Sequence, residues 1–266
     1  MTYSFHDLVG AYEALGLAAG DTVLATGNLG RLMAFEEPGK EAVLAAHLRA
    51  LTDIIGPHGT LVVPTASTDL CNTDTPFDLL MTPTHLGPFC EYVRTQPGAL
   101  RSFHPFVSYA ALGTDAAEIT QNVSRHAFGM ETPEDRLVRR NAWHISIGLH
   151  SRFTTATNHH VEMVMGVPYR YVREYEHPVV REGEVRRELF YLHVRYMAAD
   201  VERDYNARIF ERFEPDHPLR RAAVGRGTLY AYRIGEFFSF MTKALAEDIY
   251  LWTHRPPKPD IYRSLM

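Results

Sequence analysis

The sequence predicts an α/β fold, with a mostly parallel central sheet, flanking helices and a more antiparallel C-terminal part. Three observations carry this. Two short apolar runs, VLAT leading into Gly27-Asn28 and TLVVPT at 60–65, are separated by the strongly helix-forming segment EAVLAAHLRALTDII at 41–55. That is the βαβ order of a parallel sheet with helices packed on it. A second pairing of strand and helix follows, from VSYAAL to a helix near Asp115–Asn122, and the apolar run HISIGL at 144–149 continues the alternation. From about Arg173 onward the pattern changes to charged, alternating segments such as EVRRELFYLHVRYM, the period-two signature of antiparallel strands.

Taken in order, residues 4–16 begin with a Ser4 cap and carry Leu8, Tyr12 and Leu15 at helical spacing, with Gly16 suited to the C-terminal end. The helix at 41–55 is stopped by Gly56-Pro57-His58-Gly59. The stretch Asp69–Pro88 is rich in Thr, Asp and Pro and reads as a long irregular loop, a lid or substrate wall, followed by a helix over Gly87–Thr95. A closing helix is expected near 235–249. With no repeats and no low-complexity tract, residues 1–266 are read as a single domain, less regular from about 173 onward.

Composition sets the function class. At 45% hydrophobic and 22% charged residues the chain resembles ordinary globular proteins rather than disordered ones. The net charge is −5 and the arginines are scattered among Asp and Glu, so no nucleic-acid footprint is visible and a small-molecule partner is expected. The N-terminus lacks a signal-peptide pattern, and no stretch approaches the roughly 18 apolar residues of a membrane span. Cys71 and Cys90 form no CxxC pair, so a reducing, cytoplasmic compartment is expected and no membrane partner. A homodimer stays open.

The segment that bears most directly on chemistry is TNHHVEMVMGVPYRY, residues 157–171. On a helix, His159 and Glu162 are three apart and share a face, whereas His160 and Glu162 diverge. A carboxylate beside an imidazole orients the ring, selects its tautomer and stabilises the imidazolium formed on taking a proton. Such pairs also occur as plain solvated or core-edge hydrogen bonds, so spacing alone leaves both readings open. Zinc is not expected, because His144, His150, His159 and His160 lack HxxxH or HExxH spacing. No GxSxG elbow and no Walker loop are present.

Four other segments, GDTVLATGNLGRL, GPHGTLVVPTAS, TPTHLGPFCEYVRTQPGALRSFHPFVSYAALG and FGMETPEDRL, together with NHHVEMVMGVPYRY, resemble in order the successive motifs of the aminoglycoside 3-N-acetyltransferase family. The resemblance covers roughly residues 4–175 well. It implies transfer of an acyl group, usually acetyl from acetyl-coenzyme A, to an amine, with His159 as general base and Glu162 orienting it. It further implies donor contacts at Thr26, Gly27, Asn28, Arg101 and Ser102, and acceptor contacts at Asp69, Asp74 and His104. Where the family carries His-Ser-Ser after the first strand, this chain has Thr26-Gly27-Asn28, so donor contacts there fall to backbone N–H groups, with Gly27 permitting close approach. For Arg101, pairing with a carboxylate is the competing expectation. The implied roles are antibiotic resistance or secondary-metabolite biosynthesis; the alternatives are a non-catalytic small-molecule-binding homologue and an acyltransferase with a non-standard donor.

Overall fold

A computed structural model describes residues 2–196 and 205–253. Met197, at the end of the expected antiparallel segment, and the last residues of the expected domain lie outside the described residues. In chain order the elements are α1 (Phe5–Ala14), β1 (Thr22–Gly27), α2 (Lys40–Ile55), β2 (Thr60–Pro64), α3 (Pro88–Arg94), β3 (Leu100–Arg101), β4 (Tyr109–Gly113), α4 (Ala116–Thr120), α5 (Pro133–Arg139) and β5 (Trp143–Ile147). There follow α6 (Thr157–Met165), β6 (Arg170–Arg181), β7 (Glu184–Arg195), α7 (Tyr205–Phe213), β8 (Arg220–Val224), β9 (Gly227–Arg233) and α8 (Ile234–Glu247).

Local signals act as expected at the start. Ser4 Oγ accepts from the Asp7 N–H while the Asp7 carboxylate accepts from the Ser4 N–H at 2.8 Å, a reciprocal cap that starts α1. Gly56 ends α2 at φ 65°, a conformation that suits a residue without Cβ.

The main sheet has the order β3-β4-β2-β1-β5-β9-β8. Its centre is the parallel trio: β1 pairs with β2 from Thr22↔Thr60 to Leu24↔Val62, and with β5 from Val23↔Trp143 to Gly27↔Ile147. Antiparallel strands extend it on both sides, β4 and β3 beyond β2, β9 and β8 beyond β5. Side chains alternate across the trio: Val23, Ala25, Leu61 and Val63 enter one core with α1, α2 and α3, whereas Leu24 and Val62 enter a second with Ile119, Leu137, Val161 and the aromatic residues of α7 and α8. Because both faces are covered, the central strands are apolar without polar alternation, which is why they were legible as buried runs.

The strands β6 and β7 form a separate two-stranded hairpin, paired from Arg170↔Arg195 to Arg181↔Glu184. The connecting Glu182 and Gly183 both have positive φ, 53° and 82°, the backbone shape that lets a two-residue turn follow the strand twist. Phe77, within the expected irregular loop, donates its N–H to Pro178 O at 2.9 Å and accepts from Val180 N at 2.8 Å, tying that loop to β6. Among the described residues, no helix is long and apolar enough to cross a membrane.

Candidate active site

β1, β2 and β5 run in one direction, so their C-terminal ends lie at one margin of the sheet, where open α/β sheets gather ligands. From β5 the chain leaves through a single 3-10 turn at Ser151–Phe153 and enters α6, which carries His159. The helix runs only to Met165 because Gly166 adopts the left-handed conformation, φ 63° and ψ 44°. The Val167 N–H then donates back to Glu162 O at 3.2 Å, and Val167 and Tyr169 are buried. This reversal brings Tyr169 and the first residue of β6, Arg170, back onto the face of α6 that holds Glu162.

Glu162 is fully buried, with His159, Arg170 and Tyr169 among its side-chain partners. Its Oε2 lies 3.3 Å from His159 Nδ1 and 2.7 Å from Arg170 Nε, and its Oε1 accepts from the Tyr169 hydroxyl at 3.1 Å. Burial works to raise the carboxyl's pKa, but the His159 hydrogen bond, the Arg170 charge and the Tyr169 hydroxyl outweigh it, and the group lies below the usual carboxylate value. It is therefore an anion at neutral pH. The His159 side chain keeps 36% of its surface exposed, in contrast to Glu162 at 0%, and its ring stands 5.5 Å from that of Phe128. Arg170 Nη2 also approaches His159 Nδ1, at 3.1 Å, while Nη1 donates to His193 O. The pair anticipated from spacing thus belongs to a larger cluster that includes Tyr169 and Arg170, with a partly exposed imidazole at its rim.

The neighbouring histidines are spoken for. His160 is buried, its Nδ1 accepts from the Gly129 N–H at 3.2 Å, and burial pulls its pKa down to about 4. His144 is buried against Tyr232, likewise drawn down to about 4 by burial, and His150 pairs with Glu214 at 3.0 Å. Among the described residues no group of three or more His, Cys, Asp or Glu is placed to hold a metal ion.

The segment 26–28 sits at the same sheet margin, with the Thr26 side chain directed into the protein's own framework and Asn28 exposed. Thr26 is buried, with Oγ1 donating to Ile145 O at 3.2 Å and lying 3.4 Å from His144 Nε2. Gly27 has φ 119°, and a Cβ there would come within 2.3 Å of Ile147 O and 2.5 Å of Ile147 N. The close approach that requires glycine is that of β5. The Asn28 N–H donates to Ile147 O and its side chain accepts from Gly30 N.

Arg101 pairs with carbonyls and a hydroxyl instead of a carboxylate. Its guanidinium donates to Thr65 O at 2.8 Å, Thr82 O at 2.5 Å and Ser108 Oγ at 3.0 Å, clamping the 69–88 loop to the ends of β2 and β4. Ser102 is buried and accepts from the Tyr109 N–H. His104 is 2% exposed, with Nδ1 accepting from the Phe106 and Val107 N–H groups, and burial draws its pKa down to about 3. Asp69 lies 3.2 Å from His85, and Asp74 lies 3.1 Å from Arg187 of β7. Of the ten residues singled out from the sequence, only His159 and Glu162 are joined to each other by a side-chain contact at this site. Arg170 and Tyr169 add to it, and the GVPYRY run that contains them gave no local sign of their target, since a hydrogen-bond partner seven or eight positions away depends on the reversal at Gly166.

The family model described as aminoglycoside 3-N-acetyltransferase matches residues 32–246. The chain belongs to that family. It is therefore an acyltransferase of the aminoglycoside 3-N-acetyltransferase type. Among curated relatives, aminoglycoside N(3)-acetyltransferase VII of Streptomyces paromomycinus is 29% identical, over 82% of this chain and 81% of the relative. Aminoglycoside N(3)-acetyltransferase III of Pseudomonas aeruginosa is 25% identical, over 90% and 92%. The crystal structure of aminoglycoside acetyltransferase AAC(3)-Xa superposes with a TM-score of 0.80 at 25% identity, covering 92% of this chain and 93% of that one. At 22% identity, a coenzyme A complex of AAC-IIIb and a sisomicin complex of AAC-VIa share the fold, each with a TM-score of 0.81, over 97% and 100% and over 93% and 99% of the two chains respectively.

Proposed function

We propose that this chain, acting as one antibiotic N-acetyltransferase-like domain, transfers the acetyl group of acetyl-coenzyme A to an amino group of an aminoglycoside or a similarly cationic small molecule, with His159 as general base. The observation that carries the reading is the partly exposed His159 ring held at Nδ1 by a buried, ionised Glu162. A carboxylate at Nδ1 favours the tautomer with the proton there, which leaves Nε2 as the basic nitrogen. Arg170 Nη2 approaches the same Nδ1, and a guanidinium favours the other tautomer, with a bare Nδ1 and a protonated Nε2. Glu162 therefore does two things: it neutralises Arg170 and competes with it for the state of the ring.

In the reaction, His159 Nε2 takes a proton from the acceptor amine as its nitrogen attacks the thioester carbonyl, forming the C–N bond. Collapse of the tetrahedral intermediate breaks the C–S bond, and the thiolate of coenzyme A takes the proton from the imidazolium. An amide and coenzyme A result, and the enzyme returns to its starting state. Glu162 stabilises the transient imidazolium, and the low-dielectric surroundings strengthen that interaction. Within residues 26–28 the Asn28 N–H is taken by Ile147 O and the Thr26 side chain is buried, so any donor contact there falls to the exposed Asn28 side chain.

The test is thiol release from acetyl-coenzyme A with sisomicin as acceptor. His159→Ala should lower turnover by roughly a hundredfold or more while the protein stays folded by circular dichroism. Near-wild-type turnover in a folded variant would sink the base assignment. Calorimetry of the wild type with acetyl-coenzyme A addresses the alternative: failure to bind the thioester would favour a non-catalytic homologue or another donor.

A further inference from the structure

We propose that Glu134 is a positioning residue for the base, acting through Thr157 to fix the first turn of α6 and with it the place of the His159 ring. The inference rests on the reading of His159 given above.

α6 begins without a cap of its own. Its N-cap position is Ala156, which offers no side-chain acceptor, and no acidic residue occupies its first turn. Ser, Thr, Asp or Asn commonly fills that place and holds the turn. Here the hold comes from outside the helix. Thr157 Oγ1, on the first helical residue, donates to Glu134 Oε1 at 2.6 Å, and the other carboxyl oxygen accepts from the Tyr109 hydroxyl at 2.7 Å. Glu134 belongs to α5 and Tyr109 to β4, so the carboxyl links the main sheet, α5 and the start of α6. Thr155, on the other side of Ala156, has a matching tie: its Oγ1 accepts from the Tyr232 hydroxyl of β9 at 2.8 Å. The residues flanking the uncapped position are thus both bound to sheet tyrosines, one directly and one through Glu134.

The tie is dry. Glu134 and Thr157 are 0% exposed and Tyr109 is 1% exposed. A buried carboxyl is a poor choice for stability alone, because an apolar side chain of similar volume would avoid its desolvation. What it contributes is two acceptor positions at a fixed separation, which an apolar residue lacks. Thr157 lies two positions before His159 on the same turn, and a displacement of about 1 Å at reacting groups can cost on the order of a hundredfold in rate.

Four variants assayed beside His159→Ala test this. Thr157→Val, nearly isosteric, and Glu134→Leu should each lower kcat by about tenfold with the KM for acetyl-coenzyme A unchanged, a partial loss of the orientation effect. Glu134→Gln keeps an acceptor for Thr157 and should restore kcat to within about threefold of wild type. The double variant Glu134→Leu/Thr157→Val should lose no more than either alone, because the two side chains act as one unit. A general structural role would instead lower thermal stability in step with kcat and give additive losses. Wild-type kcat in folded Thr157→Val overturns the proposal, even if Glu134→Leu fails to fold, and additive losses in the double variant overturn it as well. If His159→Ala is inactive and Thr157→Val unaffected, the base reading stands and the positioning role alone falls; if His159→Ala retains turnover, both fall.

Discussion

Two fully buried carboxyls lie at opposite ends of α6, and their surroundings drive them in opposite directions. At the C-terminal end, Glu162 faces Arg170, His159 and Tyr169, and its pKa is lowered although burial alone would raise it. At the N-terminal end, Glu134 meets the hydroxyls of Thr157 and Tyr109, and burial raises its pKa against the smaller pull of those two donors. Equal burial gives unlike groups. A cation makes one carboxyl a permanent anion suited to stabilising an imidazolium, while neutral hydroxyls make the other a bridging acceptor whose use is geometric.

The largest expected effect comes from removing the ionised member. Glu162→Ala leaves Arg170 buried without its carboxylate and should cost about 3–5 kcal/mol of stability. Any protein that remains folded should turn over about a hundredfold or more slowly, because nothing then opposes the Arg170-favoured tautomer. Chemical denaturation and the thiol-release assay measure the two quantities. Wild-type stability would mean that Glu162 and Arg170 are not coupled as their 2.7 Å separation indicates.

A second experiment probes the sheet margin on which both ends of α6 depend. Gly27→Val places a branched Cβ against the Ile147 main chain at φ 119°, and it should destabilise the protein by about 3 kcal/mol or more through strain and overpacking. A stable variant with weakened thioester binding would instead assign Gly27 to the donor site.

The smallest effect is the most diagnostic. Glu134 has a raised folded pKa, so its contribution to stability is complete below the unfolded carboxyl value of about 4.3 and is lost as pH rises through the folded value. Glu162 has a lowered one, so its contribution is present above about 4.3 and is lost as pH falls through the folded value. The thermal midpoint of Glu134→Gln should therefore gain on wild type as pH rises above about 4. That of Glu162→Gln should close on wild type as pH falls below about 4. Parallel pH curves would erase the contrast.

Much of this was legible in the sequence because the signals are local. Ser4 caps the first helix, the apolar runs around Leu24 and Val62 become the parallel centre, and His159 with Glu162 share a face of α6. Other features depend on what arrives from elsewhere in the chain. Gly27 signalled a close approach but not that Ile147 makes it. Glu134 stood inside the FGMETPEDRL motif, yet its partners lie 25 and 23 positions away, and nothing nearby distinguishes it from Glu131, which pairs with Arg136 and Arg139 at the surface. Periodicity revealed antiparallel strands after Arg173, but not that β8 and β9 rejoin the first sheet while β6 and β7 form another. Pairing partners are a long-range property.

The β6–β7 hairpin carries a consequence for solubility. Strands of 12 residues whose outer edges were bare would present rows of unsatisfied N–H and C=O groups, a template for a neighbouring chain. Phe77 covers part of the β6 edge, and on the β7 edge Ala127 N donates to Tyr191 O while Tyr191 N donates to Arg125 O. Near the tip, where Val185 is exposed, Glu184, Arg186 and Arg187 supply charges that resist edge-to-edge stacking. Two loop segments and three charged side chains thus cover or charge the edges of a long ribbon that starts beside the site.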